Sequence, residues 1–420
     1  MLTGSKAGRG ERGSFEPMRA TSGHVPALDG VRALAALGVL TTHVAFQTGS
    51  VDSSVVGSVL GRLDLAVAVF FALSGFLLWR PHAAAARGLR EAPSAVRYLR
   101  HRVVRIWPAY LVVVVVVLSL LPAARGAGVT TWLANLFVAQ IYVPYTLTSG
   151  LTQMWTLAVE VSFYLLLPVI AVSVARLRGD RARWRSPVLV AAAVACLAWP
   201  WLASTLPLAP GVAVDNWLPG HLGWFVAGMV LAESVSDGDE TGSWPRRIAA
   251  DRRIMGALAV VAYALACTPI AGPTGLAAVS SAEFATKTVL GAAVAFGLLA
   301  PIVLGDHRHR LLDSTMMQTL GRWSYGIFIW HLAVLAAVFG LFGFAAYGSS
   351  PWWVWSLTVI VSTGVAAASY GLVEEPARRR LRAWEKARTR ADGDSGTATT
   401  VTSATTAASA GTVTHQSNPV

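Results

Sequence analysis

The chain has 420 residues, 54% hydrophobic and only 13% charged, with a mean hydropathy of +0.54. A soluble globule of this size carries about 25% charged residues, so the composition excludes that class and points to an all-α polytopic membrane protein. The formal net charge of +12 does not require a nucleic-acid partner, because the basic residues fall in a few loops between apolar runs, where membrane topology uses them. The two cysteines, Cys196 and Cys267, each lie inside an apolar stretch, which supports neither a disulfide framework nor a metal site.

Residues 1–26 are polar and lack an apolar h-region, so a cytoplasmic arm rather than a cleavable signal peptide is expected. Apolar stretches approaching the roughly 20 residues that cross a bilayer begin near Ala27, Leu60, Trp107, Leu151, Pro187, Pro219, Ile254, Phe284, Arg322 and Trp352. A shorter one, residues 131–144, is ambiguous. Basic loops occur in the arm (Arg9, Arg12, Arg19), at 80–105, 176–185, 246–253 and 306–310, and from Arg378, whereas the loops around 50–58, 207–217, 272–282 and 345–351 contain no Lys or Arg. If 131–144 crossed fully, every later basic loop would fall outside, against the positive-inside rule. The expectation is therefore about ten spans with both termini cytoplasmic, and 131–144 as a re-entrant or interfacial piece on the outer side, offering a cavity wall. Residues 27–380 form the membrane domain and 381–420 a cytoplasmic tail; the Thr, Ala and Ser bias from about Asp392 predicts disorder there.

Several polar residues lie where lipid-spanning helices rarely carry them. In "LDGVRALAALGVLTTHVAF", Arg32 and His43 are eleven positions apart, an offset about 20° past three turns and a rise of roughly 16 Å, so they share one helix face. Arg32 fits a snorkelling end charge and His43 an interhelical hydrogen bond, and both equally fit groups facing a cavity. In "FFALSGFLLWRP", Ser74 and Gly75 permit close approach of a helix or ligand. "RYLRHRVVRIWPAYL" carries Arg100, His101, Arg102 and Arg105, either a positive-inside anchor or a phosphate site using guanidinium forks. "QMWTLAVEVSFYLLLP" buries Glu160 between Trp155 and Tyr164, where a carboxylate must be protonated, paired or face a polar cavity. "GRWSYGIFIWHLAV" adds Tyr325 and His331, and in "VEEPARRR" local pairing explains Glu374 and Glu375.

The order and spacing of these segments, with Arg32 ten residues before His43 and "VEEP" closing the series, resemble the acyltransferase 3 family of integral-membrane acyltransferases over roughly residues 25–380. The resemblance implies transfer of an acyl group, by default acetyl, from cytoplasmic acyl-CoA to a hydroxyl of a carbohydrate: an envelope glycan, a glycolipid or a glycosylated small molecule. It places the enzyme in the plasma membrane, with no metal and no permanently bound cofactor. On this reading His43 is a general base or an acyl carrier, Arg32, Arg102 and Arg105 hold the CoA phosphates, and Glu160 orients or charge-stabilises. Ser74, Trp155, Tyr164, Tyr325 and His331 are candidates to line the cavity. The family pattern commonly has a second acidic residue after the first; here Glu160 is followed by Val161. A proton-coupled transporter or a flippase-like partner in glycan export would share the topology and the intramembrane polar residues. Neither cleaves a thioester.

Overall fold

The computed structural model describes residues 23–237, 243–275, 277–305 and 308–390. The basic residues expected in the N-terminal arm and the disorder expected from about residue 392 lie outside the described residues. Within them, all regular structure is helical: α1 (Pro26–Thr48), α2 (Val55–Arg62), α3 (Ala66–Ala86), α4 (Ala95–Leu120), α5 (Val129–Leu136), α6 (Trp155–Ala175), α7 (Arg185–Cys196), α8 (Trp199–Ala203), α9 (Leu218–Ser236), α10 (Trp244–Ala250), α11 (Arg252–Ala266), α12 (Ser281–Leu304), α13 (Thr315–Phe342) and α14 (Pro351–Ser369). The sequence supplies the starts and stops. Proline opens α1, the Ser94, Asp251 and Ser314 side chains cap α4, α11 and α13, and Ser280 with Glu283 forms a reciprocal capping box on α12.

Among the described residues, seven continuous helical segments are long and apolar enough to cross a membrane: Pro26–Thr48, Val55–Ala86, Ala95–Leu120, Thr152–Ala175, Ser281–Leu304, Thr315–Phe342 and Pro351–Arg390. The protein is an all-α, multi-pass membrane protein. The stretches expected to begin spans near Pro187, Pro219 and Ile254 fold as the shorter α7, α9 and α11, of 12, 19 and 15 residues.

Residues 131–144 do not form a full crossing helix. The eight residues of α5 rise about 12 Å and give way to turns, with Val138 in the left-handed region at φ 58°. Buried amides hold this irregular backbone. Asn135 Nδ2 donates to the Thr131 and Thr146 carbonyls, each at 2.9 Å, and Gln140 Nε2 donates to Met154 O at 2.9 Å. Such bonds satisfy backbone groups that lipid would leave bare. The segment packs against the start of α9, where Trp217 Nε1 donates to Ile141 O, and none of its residues lines either cavity described below. It supports the fold instead of walling the site.

Helix pairs that enclose the site approach closely because small residues face one another. A Cβ on Gly228 of α9 would overlap the Ala72 carbonyl of α3, and one on Gly75 would overlap the Phe225 carbonyl. In a bilayer, where lipid tails are as apolar as the helices, this backbone proximity and the resulting packing drive association. At one end of this pair, buried Glu233 accepts from Trp79 Nε1 (2.7 Å) and Arg87 Nη1 (2.5 Å). The last helix continues through a wide turn at Tyr370–Glu374 into residues 375–390, where Glu385 pairs with Arg100 (2.6 Å) and His101 (3.0 Å) of α4. Glu374 and Glu375 pair with Arg378, Arg379 and Arg382, the local pairing that their spacing predicts.

Candidate active site

Two cavities lie along α1, and Arg32 and His43 belong to different ones. Arg32 lines a cavity of about 320 Å³ together with Ser74, Arg102, Arg105, Glu160, Tyr164 and Tyr325. The fold thus gathers residues from α1, α3, α4, α6 and α13 that are up to about three hundred positions apart in the chain. Three guanidiniums face one carboxylate there. Arg32 reaches Asp29 Oδ1 at 3.3 Å, Arg102 stacks its guanidinium 5.9 Å from the Tyr164 ring, and Arg105 has no hydrogen bond or ion pair among the described residues. Cations held around a cavity in this way are suited to an anion. By contrast Arg100 and His101, candidates by sequence for the same phosphate site, are engaged by Glu385.

Glu160 is held by two hydroxyls on one oxygen: Ser74 Oγ and Tyr164 OH (2.5 Å) both donate to Oε1. An ionised carboxylate accepts only, so two donors on one oxygen leave Oε2 available to the cavity. Tyr325 OH donates to Ile106 O at 2.9 Å, tying α13 to α4 across the same space. A groove of about 570 Å³, lined by His82, Arg97, Tyr98 and His101, shares Leu77, Leu78 and Arg102 with the arginine cavity and so adjoins it.

His43 lines the second cavity, of about 720 Å³. Its proton can be assigned from its neighbours. His331 Nδ1 lies 2.6 Å from Phe328 O, to which only an N–H can donate, so the Nε2 of a neutral His331 ring is an acceptor. His43 Nδ1 lies 3.2 Å from that Nε2 and 2.8 Å from Val39 O. Both are acceptors, so His43 carries its proton on Nδ1 and its Nε2 keeps a lone pair without a partner among the described residues. His331 is buried behind His43 and lines neither cavity, correcting its expected place on the wall. Trp155 lines the His43 cavity and not the arginine cavity.

The cavities meet at Val67, Thr156 and Phe328, which line both. The His43 cavity also holds groups that local sequence reading missed: the Asp64–Lys287 ion pair at 2.6 Å, and His221 and Gln153. Asp64 and Lys287 are 223 positions apart, so no local spacing signals the pair. His221, in "LPGHLGWF", is an ionisable residue inside an apolar run, and the rule that singled out His331 applies to it equally.

The two adjoining cavities thus set a cluster of three guanidiniums, from α1 and α4, beside a neutral imidazole on α1. The acyltransferase 3 family, an acyltransferase domain, matches residues 25–371. The chain is 29% identical over 333 residues to acyltransferase MdmB of Streptomyces mycarofaciens, covering 74% of this chain and 79% of that protein. It is 27% identical over 341 residues to nodulation protein 10 of Rhizobium leguminosarum bv. viciae (74% and 82%). To the peptidoglycan O-acetyltransferase OatA of Listeria monocytogenes serovar 1/2a it is 22% identical over 390 residues, 85% of this chain but only 56% of the longer protein. No solved structure matches the chain. The chain belongs to the acyltransferase 3 family and is a membrane-embedded acyltransferase.

Proposed function

We propose that this enzyme moves an acetyl group from cytoplasmic acetyl-CoA to a carbohydrate hydroxyl, with the donor in the arginine cavity and the acceptor in the His43 cavity. The observation that carries the reading is the unshared pair on His43 Nε2, held by a two-histidine hydrogen-bond chain beside a cavity that adjoins three arginines. Arg32, Arg102 and Arg105 bind the CoA phosphates, and the adjoining groove takes the nucleotide end. The thioester reaches His43 past Val67, Thr156 and Phe328. His43 Nε2 then removes the proton of the attacking hydroxyl, the new C–O bond forms at the carbonyl carbon, and the C–S bond breaks to release CoA, which takes up the proton. Covalent transfer of the acyl group to Nε2 before the hydroxyl attacks is the rival order of the same steps.

This reading fits ten spans, the three shorter helices completing the crossing count, with residues 1–26 and the tail from 381 on the donor side. It also fits acceptors related to those named for the relatives, one of which is a peptidoglycan O-acetyltransferase. Membranes containing the protein, given acetyl-labelled acetyl-CoA, should label a glycan or glycosylated fraction, and His43→Ala at matched expression should lower that rate about 10²–10⁴-fold. Labelling no greater than in empty membranes, or untouched by the substitution, would sink the role given to His43 and bring the transporter reading forward.

A further inference from the structure

His221 of α9 is 4% exposed, and among the described residues neither Nδ1 nor Nε2 has a hydrogen-bond partner. A neutral imidazole has one N–H to donate and one lone pair to offer, so this ring holds both halves of its hydrogen-bonding capacity in reserve. It lines the His43 cavity. Aromatic rings fix its place: Trp224 at 4.9 Å, Trp155 at 5.0 Å, Phe284 at 5.6 Å and Phe71 at 6.2 Å between centroids.

A second buried polar group on the same cavity is also unmatched. Gln153 is 2% exposed; its Nε2 donates to Ile329 O at 3.1 Å, which fixes the amide's orientation, while its Oε1 has no partner among the described residues. The wall of the cavity that holds His43 therefore carries an unpaired acceptor at Gln153 and, against the indole of Trp155, an unpaired donor and acceptor at His221, all three atoms covered by neighbouring groups. Buried groups left unpaired by the protein await a ligand that pairs them. A hydroxyl both donates and accepts, and a pyranose ring carries several hydroxyls around an apolar C–H face that an indole can cover. The volume of about 720 Å³ falls in the roughly 300–1,000 Å³ range of small-molecule sites.

We infer that His221 and Gln153 form the acceptor subsite, hydrogen-bonding two hydroxyls of a sugar ring packed on Trp155 so that a third hydroxyl meets His43 Nε2. This inference rests on the acyl-transfer reading of the cavity and adds the residues that select the acceptor. No bond is made or broken at His221 or Gln153; both are positioning residues.

The test uses the full-length protein in nanodiscs, acetyl-CoA, and a panel of methyl hexopyranosides and methyl 2-acetamido-hexopyranosides, with n-octanol as the alcohol that lacks a sugar ring; CoA release and acetyl-ester formation are read together. With the native protein at least one glycoside should be acetylated with saturation, and octanol poorly. His221→Phe should raise the KM of that glycoside about tenfold, about 1.4 kcal/mol, with a smaller change in kcat. His221→Gln, which restores a donor and an acceptor, should recover part of the loss, and Gln153→Met should raise the same KM. Replacing an unpartnered polar ring by phenylalanine should leave the melting temperature equal or higher, which separates this role from a structural one. An unchanged glycoside KM in both His221→Phe and Gln153→Met overturns the inference, as does acetylation of octanol as efficient as that of every glycoside. Absence of CoA release by the native protein, alike with His43→Ala, would instead strike the acyl-transfer reading on which it rests.

Discussion

His43 has two acceptors for one proton, Val39 O and His331 Nε2, and the division of labour between them is measurable. In His331→Phe the carbonyl still holds the Nδ1 proton, so the reactive tautomer persists, but the ring loses the neighbour that sets its tilt. We expect kcat to fall about tenfold, ~1.4 kcal/mol, with the acetyl-CoA KM unchanged, in contrast to the far larger loss in His43→Ala. Glu160 invites a different substitution. Because Ser74 and Tyr164 both donate to a single oxygen, the amide of Glu160→Gln keeps an acceptor for them while removing the only negative charge among the residues lining the arginine cavity. An anionic donor should then bind more tightly, the acetyl-CoA KM falling about threefold, ~0.65 kcal/mol. A loss of kcat of a hundredfold or more would show that Glu160 takes part in the chemistry.

Among the elements, α1 was the most legible, because a helix repeat of 3.6 fixes which side chains share a face whatever surrounds them. Arg32 and His43 do face the interior from one helix. What periodicity does not reveal is that residues of three other helices, Val67 of α3, Thr156 of α6 and Phe328 of α13, stand where that interior divides into two spaces. Ser74, Glu160, Tyr164 and Tyr325 line one cavity with Arg102 and Arg105, yet the competing claim of Glu385 on Arg100 and His101 depends on a helix nearly three hundred residues away. Gln153 escaped for a related reason, since it looks ordinary until its unused hydrogen-bonding atom is seen, whereas the signal at His221, an ionisable residue inside an apolar run, is legible in the sequence. Leaving such a group unpaired costs about 1–3 kcal/mol. The contact of α3 with α9 carries its own prediction. Glu233 is 2% exposed and ties both helices through Trp79 and Arg87, whereas the other carboxylate on Arg87, Asp237, is 64% exposed. Glu233→Ala should cost about 3–5 kcal/mol by leaving Arg87 and Trp79 without that partner, and Asp237→Ala less than about 1 kcal/mol. Thermal unfolding of the two variants in one detergent should resolve the difference.

Across the whole molecule, the size of the acyl group is expected to follow from the shared wall of the two cavities. Phe328 packs its ring 5.8 Å from Phe70 and 5.8 Å from His331, so a longer acyl chain leaving the arginine cavity would meet this ring before the carbonyl reached His43. Phe328→Ala should raise the ratio of butyryl to acetyl transfer about tenfold, within the range that pocket size alone controls. The same three side chains have a consequence beyond specificity. On the proposed topology the His43 cavity, lined by Asp215, Asn216 and Val279 of loops without Lys or Arg, faces outward, and the arginine cavity, adjoining the groove of the basic 80–105 loop, faces the cytoplasm, so over this short distance the insulation of the cell is no longer some 30 Å of hydrocarbon but the width of a valine, a threonine and a phenylalanine. Such a partition must let a two-carbon unit through while refusing the ions whose gradient the membrane exists to keep, and any substitution that widens the substrate range also thins the seal.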